Sequence, residues 1–446
     1  MKLVLHIGTE KTGTTAFQVW MHENTRLLRD QGIWYAQSLG LPNNRAISVM
    51  SRAANEVEDG FHFFGLKTPE DHATFVERRT VALQKDVAAA RAAGAHTFLI
   101  SNEHCQSRLR TPEMVARLGA LVKPIFDEIE IVVFLRPQVD KAQSLASTGS
   151  RVGLYINKDF LRKVRPRAAS YNYLDLLERW AGEFGREAIK PVPFKRQPSP
   201  VAFFKEYLGL DPEVEYIPDR RVNQTLDHRV VALMNIIVGE DASGPARDLP
   251  PVYRKFFVDE IPAKEPLTLS RGEAQAIQAR FRNHNRKLAE AWPQIAQGDL
   301  APDWQRYPEE GTFDKLDAAD LTDPLRYIIS RFNGELAMSR ARVKLWESRE
   351  AESEGDWGAA IGAMNQALKQ LSIAREVPFL EKWATEQHGH YENRRADLKR
   401  RSEMPDPPPA VETDAPRRGS ELGPEDGDQA GQKRRGSVLR GFGSRR

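Results

Sequence analysis

Cysteine is almost absent from the chain: Cys105 is the only one among 446 residues. A single thiol excludes an intramolecular disulfide and any metal site built from several cysteines. It favours a reducing compartment, and we predict a cytoplasmic protein. The apolar run that follows Lys2 is too short for a signal peptide, since His6 and Glu10 interrupt it. No other run reaches the length of a membrane span, so we expect no integral membrane segment.

An excess of charge of one sign is also missing. The chain has 65 Lys and Arg against 62 Asp and Glu, which gives a net charge of +3. Without a global field of one sign, we do not expect nucleic acid as a partner. The hydrophobic fraction of 40% suits a globular protein with a sizeable core. The length allows two domains, or one large α/β domain with additions.

The N-terminal stretch has the pattern of a strand, a tight loop and a helix. Residues 3–7 form a short apolar run, as in a buried strand. The loop between Gly8 and Gly13 is small and polar, and a helical pattern begins at Thr14. In such a unit, unpaired N–H groups and the helix dipole converge on one point. The stretch therefore predicts an anion-binding site.

The loop differs from a Walker A motif, in which a lysine follows the second glycine directly. Here Thr14 follows Gly13, and the lysine is Lys11, inside the loop. A P-loop kinase or NTPase would need its lysine at the β- and γ-phosphates. It would also need a metal-binding acid, whereas the strand over residues 130–136 ends in Arg136. A P-loop NTP-dependent enzyme with an altered loop remains an alternative.

Strands and helices alternate along the first two hundred residues. Besides residues 3–7, strand patterns cover residues 97–101, 130–136 and 189–194, the last proline-containing and therefore at an edge. Helix patterns cover residues 14–31, 69–93, 112–126, 137–150, 171–184, 200–208, 225–238 and 270–292. This alternation predicts an α/β fold, a three-layer sandwich with a central parallel sheet. Ser270 and Glu273 predict a capping box, and Asn223 is expected to cap the helix over 225–238.

Two motifs within this pattern resemble the motifs of one protein family. The form Gly-x-x-Lys-x-Gly-Thr-Thr after the first strand resembles the 5′-phosphosulfate loop of sulfotransferases that use PAPS, 3′-phosphoadenosine 5′-phosphosulfate. Arg136 at a strand end, with Ser144 on the next helix, resembles the family's grip on the 3′-phosphate. The similarity covers about residues 1–296 and implies a P-loop-like fold. The cofactor-binding residues it implies are Gly8, Thr9, Lys11, Thr12, Gly13, Thr14, Thr15, Arg136 and Ser144.

The resemblance also implies a reaction. Lys11 would neutralise charge on the oxygen between phosphorus and sulfur, and no metal would be required. The acceptor hydroxyl or amine needs a general base near the loop, and Glu103 and His104 follow a predicted strand there. We favour Glu103, and His104 remains open. The acceptor implied is a small molecule or a carbohydrate or glycolipid, held by loops over residues 39–69 and 151–169.

The remainder of the chain does not belong to this resemblance. We predict domain limits of 1–300 for the α/β domain, 301–323 for a linker and 324–401 for a helical extension. Residues 402–446 are poor in large apolar residues and end in a basic segment, which predicts a disordered tail. The helices are expected to form a hairpin that packs on the enzyme or on a twin subunit, as in a homodimer. A non-catalytic scaffold with a sulfotransferase-like fold is the second alternative.

Overall fold

The chain is represented by a computed structural model. It describes residues 1–219, 225–239, 261, 263–377 and 380–404. The predicted tail beyond Met404, and Asn223 with its predicted cap, therefore lie outside the described residues. The chain divides into two compact units, Met1–Glu335 and Leu336–Arg446.

Five strands form a sheet in the first unit: β1 Lys2–His6, β2 Ile33–Tyr35, β3 Thr97–Ser101, β4 Glu128–Leu135 and β5 Ile189–Pro193. All neighbours pair in parallel, in the order β2-β3-β1-β4-β5. The central strand β1 places Leu3 opposite Phe98 on one side and Ile129 on the other. The predicted α/β fold with a central parallel sheet is confirmed, and β5 is an edge strand as its prolines predict.

Helices surround this sheet and continue into the second unit. In chain order they are α1 Thr14–Glu23, α2 Thr25–Arg29, α3 Ala46–Met50, α4 Asp59–Phe63, α5 Pro69–Ala92, α6 His104–Arg108, α7 Pro112–Val122, α8 Gln138–Arg151, α9 Lys158–Arg162, α10 Tyr173–Phe184, α11 Pro200–Tyr207, α12 His228–Val238, α13 Arg271–Ala279, α14 Arg282–Ala291, α15 Thr322–Ser353, α16 Trp357–Arg375 and α17 Glu381–Ser402. No helix in the described part of the chain combines the length and the apolar character that a bilayer crossing requires.

The sheet is covered on both faces. Leu3 and Leu5 belong to one buried cluster, whereas Val4 between them belongs to another. Successive side chains of a strand point to opposite faces, so the three consecutive apolar residues of β1 mean burial on both sides. This arrangement is compatible with a three-layer sandwich. It also directs the carboxyl ends of β1, β3 and β4 to one edge, where the candidate site lies.

Two long predicted helices are each broken in two. The predicted helix over residues 14–31 divides at Asn24, whose side chain bonds the backbone N–H and carbonyl of Ile217. The predicted helix over residues 270–292 divides near Phe281, which is fully buried. In both cases the break lies at a residue that bonds a distant partner or packs into the core. Helical periodicity alone places that residue inside one continuous helix. The predicted capping box of Ser270 and Glu273 is present.

The predicted linker over residues 301–323 is instead packed structure. It contains two short 3₁₀ helices, Trp304–Arg306 and Phe313–Ala318. Tyr307, Phe313 and Leu316 are buried in a second core of the first unit. The first unit thus extends past the predicted limit of residue 300, because these aromatic and aliphatic side chains complete that core.

Where the structure describes it, the second unit is helical, with three helices rather than the two of the predicted hairpin. Most of α15, together with α16 and α17, packs around small residues such as Ala341, Ala360 and Ala367. Gly355 adopts φ +78° and ends α15. The third helix was missed because its sequence is strongly charged and carries few apolar residues to mark a face.

Candidate functional site

Three residues of the loop after β1 have a left-handed backbone conformation. Gly8 and Gly13 have φ of +99° and +77°, values that favour glycine. Lys11 also lies in the left-handed region, with φ +70°. A lysine seldom adopts this backbone, and residues held so against their preference concentrate at functional sites. The loop leads directly into α1 at Thr14, as predicted.

The loop presents a row of free N–H groups. In the first helical hydrogen bond of α1, Phe17 donates to the carbonyl of Gly13. Within the described residues, the backbone N–H groups of residues 10–16 have no acceptor. Six of these seven residues line one large cleft: Glu10, Lys11, Gly13, Thr14, Thr15 and Ala16. Converging N–H groups at a helix start attract an anion, so the loop is a candidate anion-binding site.

The surroundings of Lys11 destabilise its charged form. Its Nζ donates to Thr148 Oγ1 at 2.6 Å. Burial, together with the neighbouring cations Arg151 and Arg136, lowers the pKa of Lys11 to about 8. A cation that is partly desolvated and surrounded by like charges gains most from an anionic partner. Lys11 is therefore prepared to receive negative charge in the cleft.

Arg136 lies at the end of β4, beside the loop. Its Nη1 donates to the carbonyl of Lys11 at 2.5 Å, and its guanidinium lies 5.6 Å from the centre of the Phe194 ring. Its Nε is buried and has no hydrogen-bond partner among the described residues. Burial lowers the pKa of Arg136 from its ordinary value. The Arg136–Lys11 bond joins the two predicted halves of the site.

Ser144 lines the same cleft on α8, and Thr148 lies one helical turn further along the same face. Thr148 is not among the predicted site residues, although its i, i+4 spacing from Ser144 places the two on one face of a predicted helix. Arg306 is also not among them; it lies in the predicted linker and lines the cleft near Arg136. No sequence signal links Arg306 to this place, since the packing of the linker brings it there.

Both candidate bases line the cleft just past β3. The Gln18 side chain donates to Glu103 Oε2 at 2.8 Å and thereby orients that carboxylate. Burial lowers the pKa of His104, which favours its neutral form, and its Nδ1 is buried without a partner in the described residues. Gln18 was missed at the sequence level, although it lies one turn after Thr14 on α1. Both candidate bases have access to a substrate in the cleft.

Three predicted cofactor-binding residues do not line the cleft: Gly8, Thr9 and Thr12. The Thr9 N–H donates to the carbonyl of Phe134 at 3.1 Å, which ties the loop to β4. The Thr12 hydroxyl donates to the carbonyl of Thr9 at 2.6 Å. A Cβ at Gly8 would lie 3.1 Å from Glu103 Cβ. These three residues hold the loop in its conformation, and their neighbours form the side of the loop that lines the cleft.

The cleft itself has a volume of about 1830 Å³ and extends to both predicted acceptor loops. Arg108 lies at the centre of one wall, where its Nε is 3.1 Å from Glu58 and 3.0 Å from Asp59. Its Nη1 is 3.8 Å from Glu10 of the loop after β1. This wall is strongly polar. Another part of the lining is more apolar and includes Leu145, Val152, Leu154, Phe160, Val164 and Tyr171.

His6 and Cys105 lie near the site but belong to the core. His6 is fully buried, its Nδ1 is 2.8 Å from Ser101 Oγ, and burial lowers its pKa to about 3. Burial raises the pKa of the Cys105 thiol. His6 is thus a histidine of the core. Within the described ranges, no group of three or more His, Cys, Asp or Glu side chains is placed to hold a metal ion.

Comparisons of the chain with protein-family models, with curated proteins and with solved structures found no match.

Proposed function

We propose that this protein is a sulfotransferase that moves a sulfuryl group from PAPS to an acceptor hydroxyl or amine. The observation that supports the proposal is that two groups of hydrogen-bond donors line one cleft. The loop N–H groups with Lys11 would bind one anion, and Arg136 with Ser144 would bind the other. A donor with phosphate groups at both its 5′ and 3′ positions needs two such sites. The resemblance of both motifs to that family supports the same donor.

The loop suits the 5′-phosphosulfate. In sulfuryl transfer the acceptor oxygen or nitrogen bonds to sulfur while the bond from sulfur to the phosphate oxygen breaks. The leaving group is adenosine 3′,5′-bisphosphate, whose 5′-phosphate gains charge. Fixed N–H donors around Gly13 and Thr14, with the Lys11 ammonium, stabilise that developing charge without reorganisation. Thr148 holds the Lys11 amine in the cleft until the donor arrives.

The second site suits the 3′-phosphate. Arg136 donates a hydrogen bond from Nη1 to the Lys11 carbonyl, whereas its buried Nε has no partner among the described residues. A guanidinium grips phosphate oxygens with parallel N–H donors, and the Ser144 hydroxyl adds another donor. Arg306 has no hydrogen-bond or ion-pair partner for its side chain in the described part of the chain and adds a further cation to this end of the cleft.

Glu103 is the proposed general base, and His104 is its competitor. The acceptor proton would pass to the Glu103 carboxylate as the acceptor atom attacks sulfur. Gln18 fixes that carboxylate through its amide N–H, which is the arrangement expected for a positioned base. His104 is held neutral by burial and therefore retains the ability to accept a proton.

The acceptor is proposed to be a carbohydrate or the head group of a glycolipid. The wall around Arg108 presents carboxylates and guanidinium groups, including Glu58, Asp59 and Arg52. Such side chains recognise several hydroxyl groups at once, whereas an acceptor without polar groups would displace their water without replacing its hydrogen bonds. Because the chain has a single cysteine, the buried Cys105, we propose a cytoplasmic location. We also propose that a second copy of the chain is a partner.

Isothermal calorimetry with adenosine 3′,5′-bisphosphate tests the donor. Wild type should bind it, and Lys11→Met or Arg136→Met should each weaken binding ~10–100-fold, because a charged hydrogen bond contributes about 1.5–3 kcal/mol. The exposed residues Lys85 and Arg78 provide matched controls, Lys85→Met and Arg78→Met, which should bind as wild type.

Tight binding of Mg-ATP without binding of the bisphosphate would contradict the proposal and favour an NTP-dependent enzyme. Transfer of radiolabelled sulfate from PAPS to a set of oligosaccharides and glycolipids then tests turnover. Binding of the bisphosphate with no transfer to any acceptor would favour a non-catalytic scaffold.

A further inference from the structure

One face of α15 carries large apolar side chains that remain exposed. Leu325, Ile329, Leu336, Val343 and Trp346 are each 44–61% exposed. They lie on a single continuous helix of 32 residues. We name these five residues the α15 seam. A soluble surface seldom aligns so many large apolar groups on one helix unless another surface covers them.

The seam follows a coiled-coil spacing. The five seam residues, together with Phe332 and Ser339, occupy positions 325, 329, 332, 336, 339, 343 and 346, which are separated alternately by four and three residues. This alternation is the heptad repeat of the a and d positions, which keeps the same face toward a partner helix. Ile329 and Val343 are β-branched residues at a positions, a feature common in two-stranded coiled coils.

From Leu336 onward, the other face of α15 is already occupied within the second unit. Ala337, Met338 and Ala341 are buried in its cores, and Ser348 is fully buried. The heptad positions opposite to a and d thus face inward. The seam is therefore a second apolar face, in addition to the one that the unit's own fold requires.

The charges beside the seam are complementary to a second copy of the same helix. In a parallel pair, each g position meets the e′ position five residues further on, which pairs Glu335 with Arg340′ and Arg342 with Glu347′. In an antiparallel pair, Glu335 meets Arg342′ and Arg326 meets Glu347′. Opposite charges meet in both orientations, so the surface is complementary to itself in the manner of a twofold interface.

We propose that the α15 seam is a homodimer interface, at which two copies of this chain pair their α15 helices as a coiled coil. The partner is a second copy because spacing and charge both match the helix to itself. The inference does not depend on the proposed sulfotransferase activity. A dimer would present two clefts on one particle and keep the seam out of water.

Sedimentation velocity on the full chain over a range of concentrations tests the interface. Wild type should sediment with twice the mass of the 446-residue chain. The double variant Leu336→Asp with Val343→Asp should sediment as a monomer at the same concentrations. Ile236 of α12 is 66% exposed and lies outside the seam, so Ile236→Asp is the matched control and should remain dimeric.

A charge reversal tests the interface without placing a charge in the seam. Arg342→Glu meets Glu347′ in one orientation and Glu335′ in the other, so it should weaken the dimer at least tenfold in Kd. Circular dichroism should give the same helix content for this variant and wild type. A monomeric wild type at every concentration would overturn the proposal. A dimer that both the seam variant and Arg342→Glu leave intact would overturn it equally.

Discussion

Lys11 makes donor binding depend on pH in a defined direction. In the free protein, burial and nearby arginines lower the pKa of Lys11 to about 8. A bound phosphate favours the charged amine and raises that pKa, so binding at higher pH takes up a proton. We expect the affinity for adenosine 3′,5′-bisphosphate to fall as the pH increases above about 8, by at most ~tenfold per pH unit.

Calorimetry from neutral to alkaline pH measures this dependence. Lys11→Arg keeps its charge over the whole range, so its affinity should stay nearly constant. An affinity of wild type that does not change with pH would mean that Lys11 does not contact the anion.

The two candidate bases can be separated by their effects on turnover. We expect Glu103→Gln to lower kcat by ~10²–10⁴-fold, the contribution of a general base, and to leave bisphosphate affinity unchanged. His104→Asn should lower kcat much less. Gln18→Leu removes the amide that orients Glu103, and it should lower kcat with little change in KM for the donor. The opposite ranking of Glu103 and His104 would assign the base to His104.

At the scale of elements, the turn between β1 and α1 depends on Gly13. A Cβ at this position would lie 3.2 Å from the Pro200 ring, and φ of +77° strains any L side chain. We expect Gly13→Ala to reduce the free energy of unfolding by ~1–2 kcal/mol and to weaken bisphosphate binding. Urea unfolding and calorimetry measure the two effects.

Gly40 is the matched control for this prediction. It has φ of +89°, but a Cβ added to it would have no atom within 4 Å. Gly40→Ala should therefore show the backbone strain alone, without the loss of binding. Equal binding by both variants would mean that the loop tolerates a side chain at Gly13.

The strand over residues 97–101 could be predicted more accurately than the helices over residues 14–31 and 270–292. Strand β3 occupies its predicted residues because a fully apolar run between polar ends has few other interpretations. The break at Asn24 could not be predicted in this way, since its cause is a hydrogen bond to Ile217, 193 residues away. Local periodicity gives the type of an element, whereas distant partners decide where it ends.

The same distinction applies to the site. Lys11 and Arg136 could be placed together because both follow parallel strands, whose carboxyl ends share an edge. Thr148 and Gln18 lie one helical turn from predicted residues and were within reach of the same reasoning. Arg306 was not, because it reaches the cleft through the packing of a segment predicted to be a linker. Thr9 and Thr12 were misplaced because a motif does not state which of its hydroxyl groups the loop uses for itself.

For the whole molecule, the limit of the first unit has a direct consequence for truncation. Tyr307, Phe313 and Leu316 complete a core of that unit, and Tyr307 also donates to buried Asp140 at 2.6 Å. Each large apolar side chain contributes ~1.5–3 kcal/mol when buried, against a total stability of about 5–15 kcal/mol for a typical domain. A chain that ends at residue 300, the limit predicted from sequence, loses all three.

We therefore expect a chain of residues 1–335 to fold and a chain of residues 1–300 to fail. The longer chain should unfold cooperatively in urea and bind adenosine 3′,5′-bisphosphate as the full chain does, since it keeps Arg306 and the second core. The shorter chain should lack a cooperative transition and should not bind. Equal stability of the two chains would mean that residues 301–323 act as the linker that the composition suggested, and that the α/β core closes without them.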